Sequence, residues 1–189
     1  MKKTLFSLAV VALFSVATTT TVSAQSKTKT VMVGGAAMYP TKNIIENAVN
    51  SKDHTTLVAA VKAAGLVETL QGAGPFTVFA PTNEAFNKLP AGTVETLVKP
   101  ENKATLTKIL TYHVVAGRMT SADLMKAIKA GGGKATLKTV SGGTLTAMMK
   151  GPKTIELKDE KGGVSTVTIA DVLQSNGVIH VVNTVLMPM

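Results

Sequence analysis

The chain has 189 residues, of which 20 are Lys or Arg and 11 are Asp or Glu, so its formal net charge at pH 7 is +9. Its composition, 45% hydrophobic and 16% charged residues, is typical of a folded protein with an apolar core and not of a disordered chain. It has no cysteine, which excludes disulfides, thiolate zinc sites, iron–sulfur clusters and a cysteine nucleophile.

The first 24 residues have the layout of a secretory signal peptide. Lys2 and Lys3 precede an apolar stretch, 5–17, and small residues follow at 22–24, where a signal peptidase would cleave. A membrane-spanning helix needs about 20 apolar residues, so this stretch is short for an uncleaved anchor, which is the alternative, and no later stretch is long enough. The sequence predicts export to the periplasm or the cell exterior, with removal of 1–24 lowering the net charge to +7.

Residues 25–38 are predicted to be an N-terminal tail that leads onto the domain. They begin with a polar, lysine-rich stretch, and Gly34 and Gly35 interrupt the short apolar run that follows. From 39 to 188 no internal repeat or long low-complexity stretch breaks the pattern. A single domain over 39–188 is the simplest interpretation.

The N-terminal half of this domain has apolar residues at helical spacing. Helices are predicted near 44–49, 57–64, 84–88 and 101–114, with a short strand at 76–79. Gly65 can end the second of these helices in the left-handed conformation. Thr82 or Asn83 can cap the third. Thr93 can cap one more short helix, which ends before Pro100.

The C-terminal half of the domain is rich in short β segments. A helix is predicted at 121–130, and glycine-rich turns separate the segments that follow it. These segments are 135–140, 144–150, 154–157, 164–169 and 178–186. Helices followed by strands predict an α+β domain with a largely antiparallel sheet, and not alternating βαβ units.

Three motifs in the domain resemble signatures of the fasciclin (FAS1) domain family. FTVFAPTNEAF at 76–86 is similar to the first signature, YHVV at 112–115 to the central Tyr-His motif, and NGVIHVVNTVL at 176–186 to the C-terminal signature. The motifs stand in the family's order, and the residues 57–66 fit the family's early helix. The resemblance therefore covers nearly the whole domain.

The resemblance implies the FAS1 fold, a β-sandwich or wedge of mostly antiparallel strands with helices packed along it. It also implies a secreted or surface protein linked to cell adhesion and matrix binding, although some members bind carotenoids. Asp171-Val172 resembles an Asp-Ile pair connected with receptor binding in animal members. Asn183 departs from the pattern, which is expected to have Asp there more often; if that position forms a salt bridge in other members, Asn183 can form only neutral hydrogen bonds here.

The most distinctive candidate residue is His113. It stands beside Tyr112 on the apolar face of the helix predicted at 101–114, so we expect a buried, hydrogen-bonded ring, with ligand binding or catalysis as alternatives. His180 alternates within a predicted strand, and His54 lies near a helix start. No short metal-ligand spacing and no carboxylate cluster joins the histidines, so the sequence predicts neither a metal site nor a cofactor.

Three further candidates are polar residues of the family motifs or of the turns. Thr82 and Asn83 could bind a ligand, but their position after a Pro suits side chains that cap a helix. Arg118 is the only arginine in the sequence. It is therefore the one side chain that could recognise an anion through two parallel hydrogen bonds.

No catalytic motif is complete in this sequence. The run at 133–135 lacks the first Gly and the Ser or Thr of a phosphate-binding P-loop, and no Gly-x-Ser-x-Gly elbow occurs. With no Trp and two Tyr, the exported chain has little to stack on bases, so nucleic acid is not an expected partner. An enzymatic interpretation has no positioned residue in its favour, and we predict a protein that is not an enzyme.

The positive charge is concentrated in the middle of the domain. The segment Lys103–Lys153 holds nine basic residues and one acid, Asp123. Such a segment can attract acidic polysaccharide, lipid headgroups or a polyanionic matrix. The alternative is a lysine-rich surface that serves solubility alone.

Two functions are compatible with these observations. The first is a secreted, non-enzymatic binding module in cell adhesion or in envelope and matrix association, with an extracellular or envelope protein or an anionic polysaccharide as partner. The alternative is a carrier of a small apolar ligand such as a carotenoid or lipid. Met148, Met149 and Met187 could line its site, although methionine is more often core filler.

Overall fold

The computed structural model describes residues 30–189, so the predicted signal peptide lies outside the described residues. The helices in this part are α1 (Ile44–Ala48), α2 (Thr55–Ala64), α3 (Val67–Gln71), α4 (Asn83–Asn87), α5 (Thr93–Leu97), α6 (Lys103–Tyr112) and α7 (Ser121–Ala130). The strands are β1 (Val31–Val33), β2 (Ala36–Met38), β3 (Phe76–Pro81), β4 (Val114–Ala116), β5 (Lys134–Lys138), β6 (Thr144–Lys150), β7 (Thr154–Lys158), β8 (Val164–Gln174) and β9 (Gly177–Val182). Single 3-10 turns at Lys52–His54 and Pro100–Asn102 precede α2 and α6.

Seven strands form one curled sheet in the order β4-β3-β9-β8-β7-β6-β5. Every neighbouring pair is antiparallel except β3 and β9, which run parallel. The two ends of the sheet meet where the amide of Val140 donates to the carbonyl of Val114 at 2.8 Å. The sheet therefore curls almost into a barrel, and the predicted α+β class with a largely antiparallel sheet is confirmed.

Two apolar cores lie on opposite sides of β3 and β9. The first core packs α1–α6 against one face of these strands and includes Met38, Ile44, Leu57, Val61, Phe86, Leu106, Leu110 and Ile179. The second core fills the inside of the curled sheet under α7 and includes Phe79, Tyr112, Leu124, Ile128, Leu145, Leu157, Val182 and Leu186. Because both faces are covered, β9 is buried along its whole length.

Two of the predicted helix ends are confirmed. Gly65 ends α2 in the left-handed conformation, with φ of 73°, and Thr82 caps α4 by accepting a hydrogen bond from the amide of Ala85. The prediction for Thr93 was wrong, because Gly92 is the N-cap and Thr93 is the first helical residue of α5. The helix expected over 101–114 is α6, which is shorter at both ends, because a 3-10 turn precedes it, His113 is its C-cap and Val114 begins β4.

The N-terminal segment differs from the tail expected over 25–38. Residues 31–38 form a hairpin, β1–β2, whose Val33 and Met38 are buried in the first core. Gly34 makes this possible, since its φ is +57° and a Cβ there would lie 2.4 Å from Oγ of Ser51. The sequence did not predict these strands, because three residues in each are too few to show an alternation of apolar and polar side chains.

Within residues 30–189, no helix is both long and apolar enough to cross a membrane.

Candidate functional site

His113 links the end of α6 to the C-terminal segment. Its Nδ1 lies 2.9 Å from the carbonyl of Ile109, and its Nε2 accepts a hydrogen bond from the amide of Leu186 at 3.0 Å. A carbonyl only accepts and an amide only donates, so the ring is neutral with its proton on Nδ1. Burial lowers the pKa of His113 to about 4. Both ring nitrogens are occupied by backbone groups, which is the buried, hydrogen-bonded state expected from the sequence.

Tyr112 makes two hydrogen bonds to backbone on the inner side of the curled sheet. Its hydroxyl donates to the carbonyl of Thr144 at 2.6 Å and accepts from the amide of Glu160 at 3.1 Å. The residue is fully buried, and this burial raises the pKa of Tyr112 to about 12. Both of its polar contacts go to backbone, so Tyr112 has no free group with which to bind a ligand.

His180 and Asp171 meet where β8 bends. The register of β8 against β9 shifts twice between Val167 and Val172, and Asp171 takes a left-handed conformation with φ of 59°. Its amide donates to Nδ1 of His180 at 3.3 Å, and Nε2 of His180 donates to the carbonyl of Met119 at 2.8 Å. The ring of His180 stacks on Phe79 with 5.7 Å between centroids, and burial lowers the pKa of His180.

The carboxylate of Asp171 caps the start of α7. One of its oxygens accepts from the amide of Ser121 at 2.6 Å and the other accepts from the Ser121 hydroxyl. An acid at a helix N-terminus also interacts favourably with the helix dipole. Val172 is 1% exposed. The Asp171-Val172 pair that resembles a receptor motif is therefore used inside the domain, one residue as a cap and the other as core.

The residue types of a hydrolytic triad meet at this point, but their connections are wrong for catalysis. Ser121 donates to Asp171, while His180 contacts the backbone amide of Asp171. A nucleophilic serine needs a histidine nitrogen that takes its proton. Both nitrogens of His180 already have backbone partners, so this cluster does not activate Ser121.

Thr82 and Asn83 connect α4 to the start of α2. Beyond the Thr82 cap, Nδ2 of Asn83 donates to the carbonyl of Lys52 at 2.8 Å, and its Oδ1 accepts from the amide of Thr56 at 3.0 Å. These contacts satisfy backbone groups at the helix starts. The family motif at this position therefore has a clear structural use.

Arg118 and Asn183 also bond to backbone. Nη2 of Arg118 donates to the carbonyls of Gln174 at 2.9 Å and Ser175 at 3.3 Å. Oδ1 of Asn183 accepts from the amide of Thr166 at 2.9 Å. A neutral amide oxygen is sufficient for that contact.

A small apolar cavity of about 60 Å³ lies in the first core. Its wall includes Val33, Met38, Ile44, Leu57, Leu110 and Ile179. Val140, 47% exposed, also borders it. At about 10–15 Å³ for each water-sized group, the cavity has room for roughly four such groups.

His54 lies in the wall of this cavity. Its Nδ1 is 2.9 Å from the hydroxyl of Ser51, while its Nε2 is buried and makes no hydrogen bond of acceptable geometry with any residue of 30–189. Burial lowers the pKa of His54, and the nearby carbonyl of Ala80 opposes this without reaching hydrogen-bonding geometry. All three histidines are therefore buried, and burial favours the neutral form of each.

The outward side of three neighbouring strands forms the most positively charged sheet surface of the domain. We call this surface, the solvent-facing side chains of β5, β6 and β7, the basic face. Its members are Lys134, Thr136, Lys138, Thr144, Thr146, Met148, Lys150, Thr154, Glu156 and Lys158. Lys150 and Glu156 form an ion pair of 2.8 Å, the only salt bridge in the part of the chain that the structure describes.

The basic segment Lys103–Lys153 is divided by the fold. Two of its lysines are on α6 and two on α7, and these four are not part of the basic face. The basic face combines three lysines of the segment with Lys158, which lies outside it. The described residues contain no group of three or more His, Cys, Asp or Glu able to hold a metal ion.

Comparison with known proteins identifies the family of this chain. The fasciclin domain profile matches residues 52–188. The chain belongs to the fasciclin domain family. It is 47% identical over 162 residues to Protein sll1483 of Synechocystis, which covers 85% of this chain and 81% of that protein. It is 34% identical over 171 residues to the cell surface glycolipoprotein MPB83 of Mycobacterium bovis, covering 88% of this chain and 68% of that protein.

A solved structure supports the fold. The fasciclin domain resembles the FAS1 domain pair of the insect cell adhesion molecule Fasciclin I, with a TM-score of 0.69 and 19% identity. The match covers 79% of this chain and 52% of that one. At this identity the likeness concerns the fold, and it confirms the FAS1 fold expected from the three motifs.

Sequence reasoning missed the groups that depend on distant residues. Nothing in the sequence around Ser121 indicates its contact with Asp171, which is 50 residues away. Lys158 lies outside the basic segment and joins the basic face only through its register with Thr146. The alternation of polar and apolar residues in β5–β7 was the one signal that could have placed these lysines on one face.

Proposed function

We propose that this fasciclin domain is an exported, non-enzymatic binding module that acts in cell adhesion or in association with the cell envelope or matrix. The observation that carries the proposal is the basic face, where four lysines stand against one glutamate. Fasciclin I, whose FAS1 domain pair has the same fold, is an insect cell adhesion molecule. MPB83 is a cell surface glycolipoprotein. Both relatives support a role outside the cell.

The polar interior supports a binding role over a catalytic one. Each ring nitrogen of His113 and His180 has a backbone partner. The hydroxyl of Ser121 donates a hydrogen bond to the carboxylate of Asp171 and has no histidine partner. These connections stabilise the fold and leave His113, His180 and Ser121 without the pairing that an activated nucleophile or a general base needs.

A direct binding measurement tests this proposal. Fluorescently labelled protein, from residue 25 onward, is incubated with the exporting cells and with isolated envelope at about 20, 100 and 300 mM NaCl. We expect saturable binding that weakens as salt screens the surface charges, because the Debye length falls from about 30 Å at 0.01 M to about 10 Å at 0.1 M. Absence of binding at the lowest salt would contradict the proposal.

The apolar cavity favours a second candidate function, the carrier of a small apolar ligand. Its wall is made almost wholly of hydrocarbon side chains. A carotenoid or a lipid chain is much larger than a cavity with room for roughly four water-sized groups. Such a ligand would therefore fit only if the wall moved apart.

Xenon binding tests whether the cavity accepts an apolar guest. Ala48 borders the cavity and is half-buried, so Ala48→Leu should fill it. Ala63 is exposed on α2, so Ala63→Leu serves as the matched control. We expect xenon to shift the NMR signals of the wild-type methyl groups and of the control, and not those of Ala48→Leu. Solvent extraction of the native protein, followed by mass spectrometry, then identifies a natural guest; an empty extract would argue against the carrier function.

A further inference from the structure

The three unpaired lysines of the basic face lie close together on one side of the sheet. Lys134 and Lys138 are four residues apart on β5, which is about 13 Å along a strand. Thr136 lies between them and pairs with Thr146 of β6, which in turn pairs with Lys158 of β7. With about 4.8 Å between strands, Lys158 is about 10 Å from β5. The three ammonium groups therefore surround a central pair of threonine hydroxyls.

We propose that the basic face binds an anionic polysaccharide. This inference rests on the proposed function and names its surface and the class of partner. Lysine ammonium groups are mobile point charges that suit carboxylates or sulfates spaced along a polymer. The threonine hydroxyls between them can donate to and accept from sugar hydroxyls.

The acidic groups near the basic face are already engaged. Glu156 pairs with Lys150 and accepts from the hydroxyl of Thr166. Glu160, at the turn after β7, accepts from the amides of Thr144 and Met189. Lys134, Lys138 and Lys158 make no salt bridge within residues 30–189. Their charge is thus available to an external anion.

Other partners fit this surface less well. A membrane surface normally receives large apolar or aromatic side chains that enter the headgroup region, and the basic face has one such candidate, Met148, which is half-buried. A second copy of the same face would place lysine against lysine, which is repulsive. A soluble anionic polymer needs neither insertion nor an apolar contact.

Paired variants test the proposal. Lys134→Gln, Lys138→Gln and Lys158→Gln together remove three charges from the basic face. The control carries Lys62→Gln, Lys99→Gln and Lys129→Gln, which are exposed lysines of α2, the loop after α5, and α7. Both variants have the same net charge. Thermal unfolding of each variant measures whether the fold is retained.

Binding of these proteins to alginate, dextran sulfate, neutral dextran and phosphatidylglycerol vesicles is measured by biolayer interferometry at about 20–200 mM NaCl. We expect wild type to bind the two anionic polymers and not neutral dextran. The face variant should bind about ten-fold more weakly or worse, and the slope of log affinity against log salt should fall by up to about three. The control should stay within about two-fold of wild type.

Each other outcome counts against the proposal in a distinct way. An equal loss in both variants would show that net charge matters and the basic face does not. Binding to vesicles in preference to both polymers would assign the face to a lipid surface. If the wild type binds cells but neither polymer, the polysaccharide inference fails while the proposed function survives. If it binds neither cells nor polymers, both fail.

Discussion

The imidazole of His113 accepts a hydrogen bond from the backbone amide of Leu186, which is 73 residues away in the sequence. The nitrogen–nitrogen distance is 3.0 Å. The Tyr-His motif and the C-terminal signature are therefore joined directly. Protonation of the ring would place a proton opposite an amide that can only donate. Protonation would therefore cost this hydrogen bond, in addition to the desolvation by burial that lowers the pKa of His113.

Stability should fall as the pH is lowered from 7 toward 4. The folded-state pKa of His113 is about 4, below its ordinary value of 6.5, so the folded state binds fewer protons than the unfolded chain between these values. The contribution of His113 to the free energy of unfolding is fully present above pH 6.5 and is lost as the pH falls from 6.5 to about 4. This contribution is at most about 3 kcal/mol. Urea unfolding at pH 7, 5.5 and 4.5 measures it. His113→Gln should reduce the dependence, and an unchanged slope would contradict the assignment.

Removal of the Tyr112 hydroxyl should destabilise the fold. Tyr112→Phe leaves the carbonyl of Thr144 and the amide of Glu160 without that partner inside the sheet, and each buried unsatisfied group costs about 1–3 kcal/mol. Tyr39→Phe is the control, because Tyr39 is exposed. Chemical denaturation should show a lower midpoint for Tyr112→Phe alone. Equal midpoints would mean that the hydroxyl contributes nothing.

Gly34 and Gly35 should differ in their tolerance of alanine. Both have positive φ, +57° and +76°, so both substitutions strain the backbone. Only at Gly34 would the new Cβ also clash, at 2.4 Å from Oγ of Ser51, while nothing lies within 4 Å at Gly35. Gly34→Ala should therefore cost about 1–3 kcal/mol more than Gly35→Ala. Amide hydrogen exchange of residues 31–38 would show whether the hairpin detaches; similar costs would mean that it is not held by this contact.

Asp171 variants separate a structural role from a receptor-binding role. Asp171→Ala removes the acceptors for Ser121 and strains a left-handed residue, so it should cost about 1–2 kcal/mol or more. Asp171→Asn keeps an acceptor and tolerates that conformation, so it should cost less. Thermal unfolding ranks the two, and cell binding provides the second measurement. Loss of binding by a stable Asp171→Asn would favour a docking role for the side chain.

Much of the fold could be predicted from local sequence. The periodicity of 121–130 and 144–150 matches α7 and β6, since these elements are regular and bounded by turn residues. The strand expected at 164–169 extends as β8 to Gln174, because two register shifts break the alternation that would have shown its length. Short elements such as β4 and α3 were missed, since three to five residues carry too little periodicity.

For the candidate site residues, burial could likewise be predicted from local sequence, whereas their distant partners could not. His113 was expected to be buried because it shares a helical face with apolar residues, and the structure buries it. Three of the contacts of these residues, Asn83 with Thr56, Asp171 with Ser121 and His113 with Leu186, span 27 to 73 residues. No local pattern specifies contacts at such separations. The cavity and the parallel pairing of β3 with β9 are likewise long-range results.

By itself, the sequence determined the family, the α+β class, most helices and strands, and the chemistries that a chain without cysteine lacks. Those properties depend on composition, on ordered motifs and on periodicities that extend over a few residues. Only the tertiary structure decided which lysines share a surface and which polar groups satisfy one another. Strand register divides the basic segment and brings Lys158 to Lys134 and Lys138. The reason is that register follows from packing the apolar faces of β5, β6 and β7 into the second core.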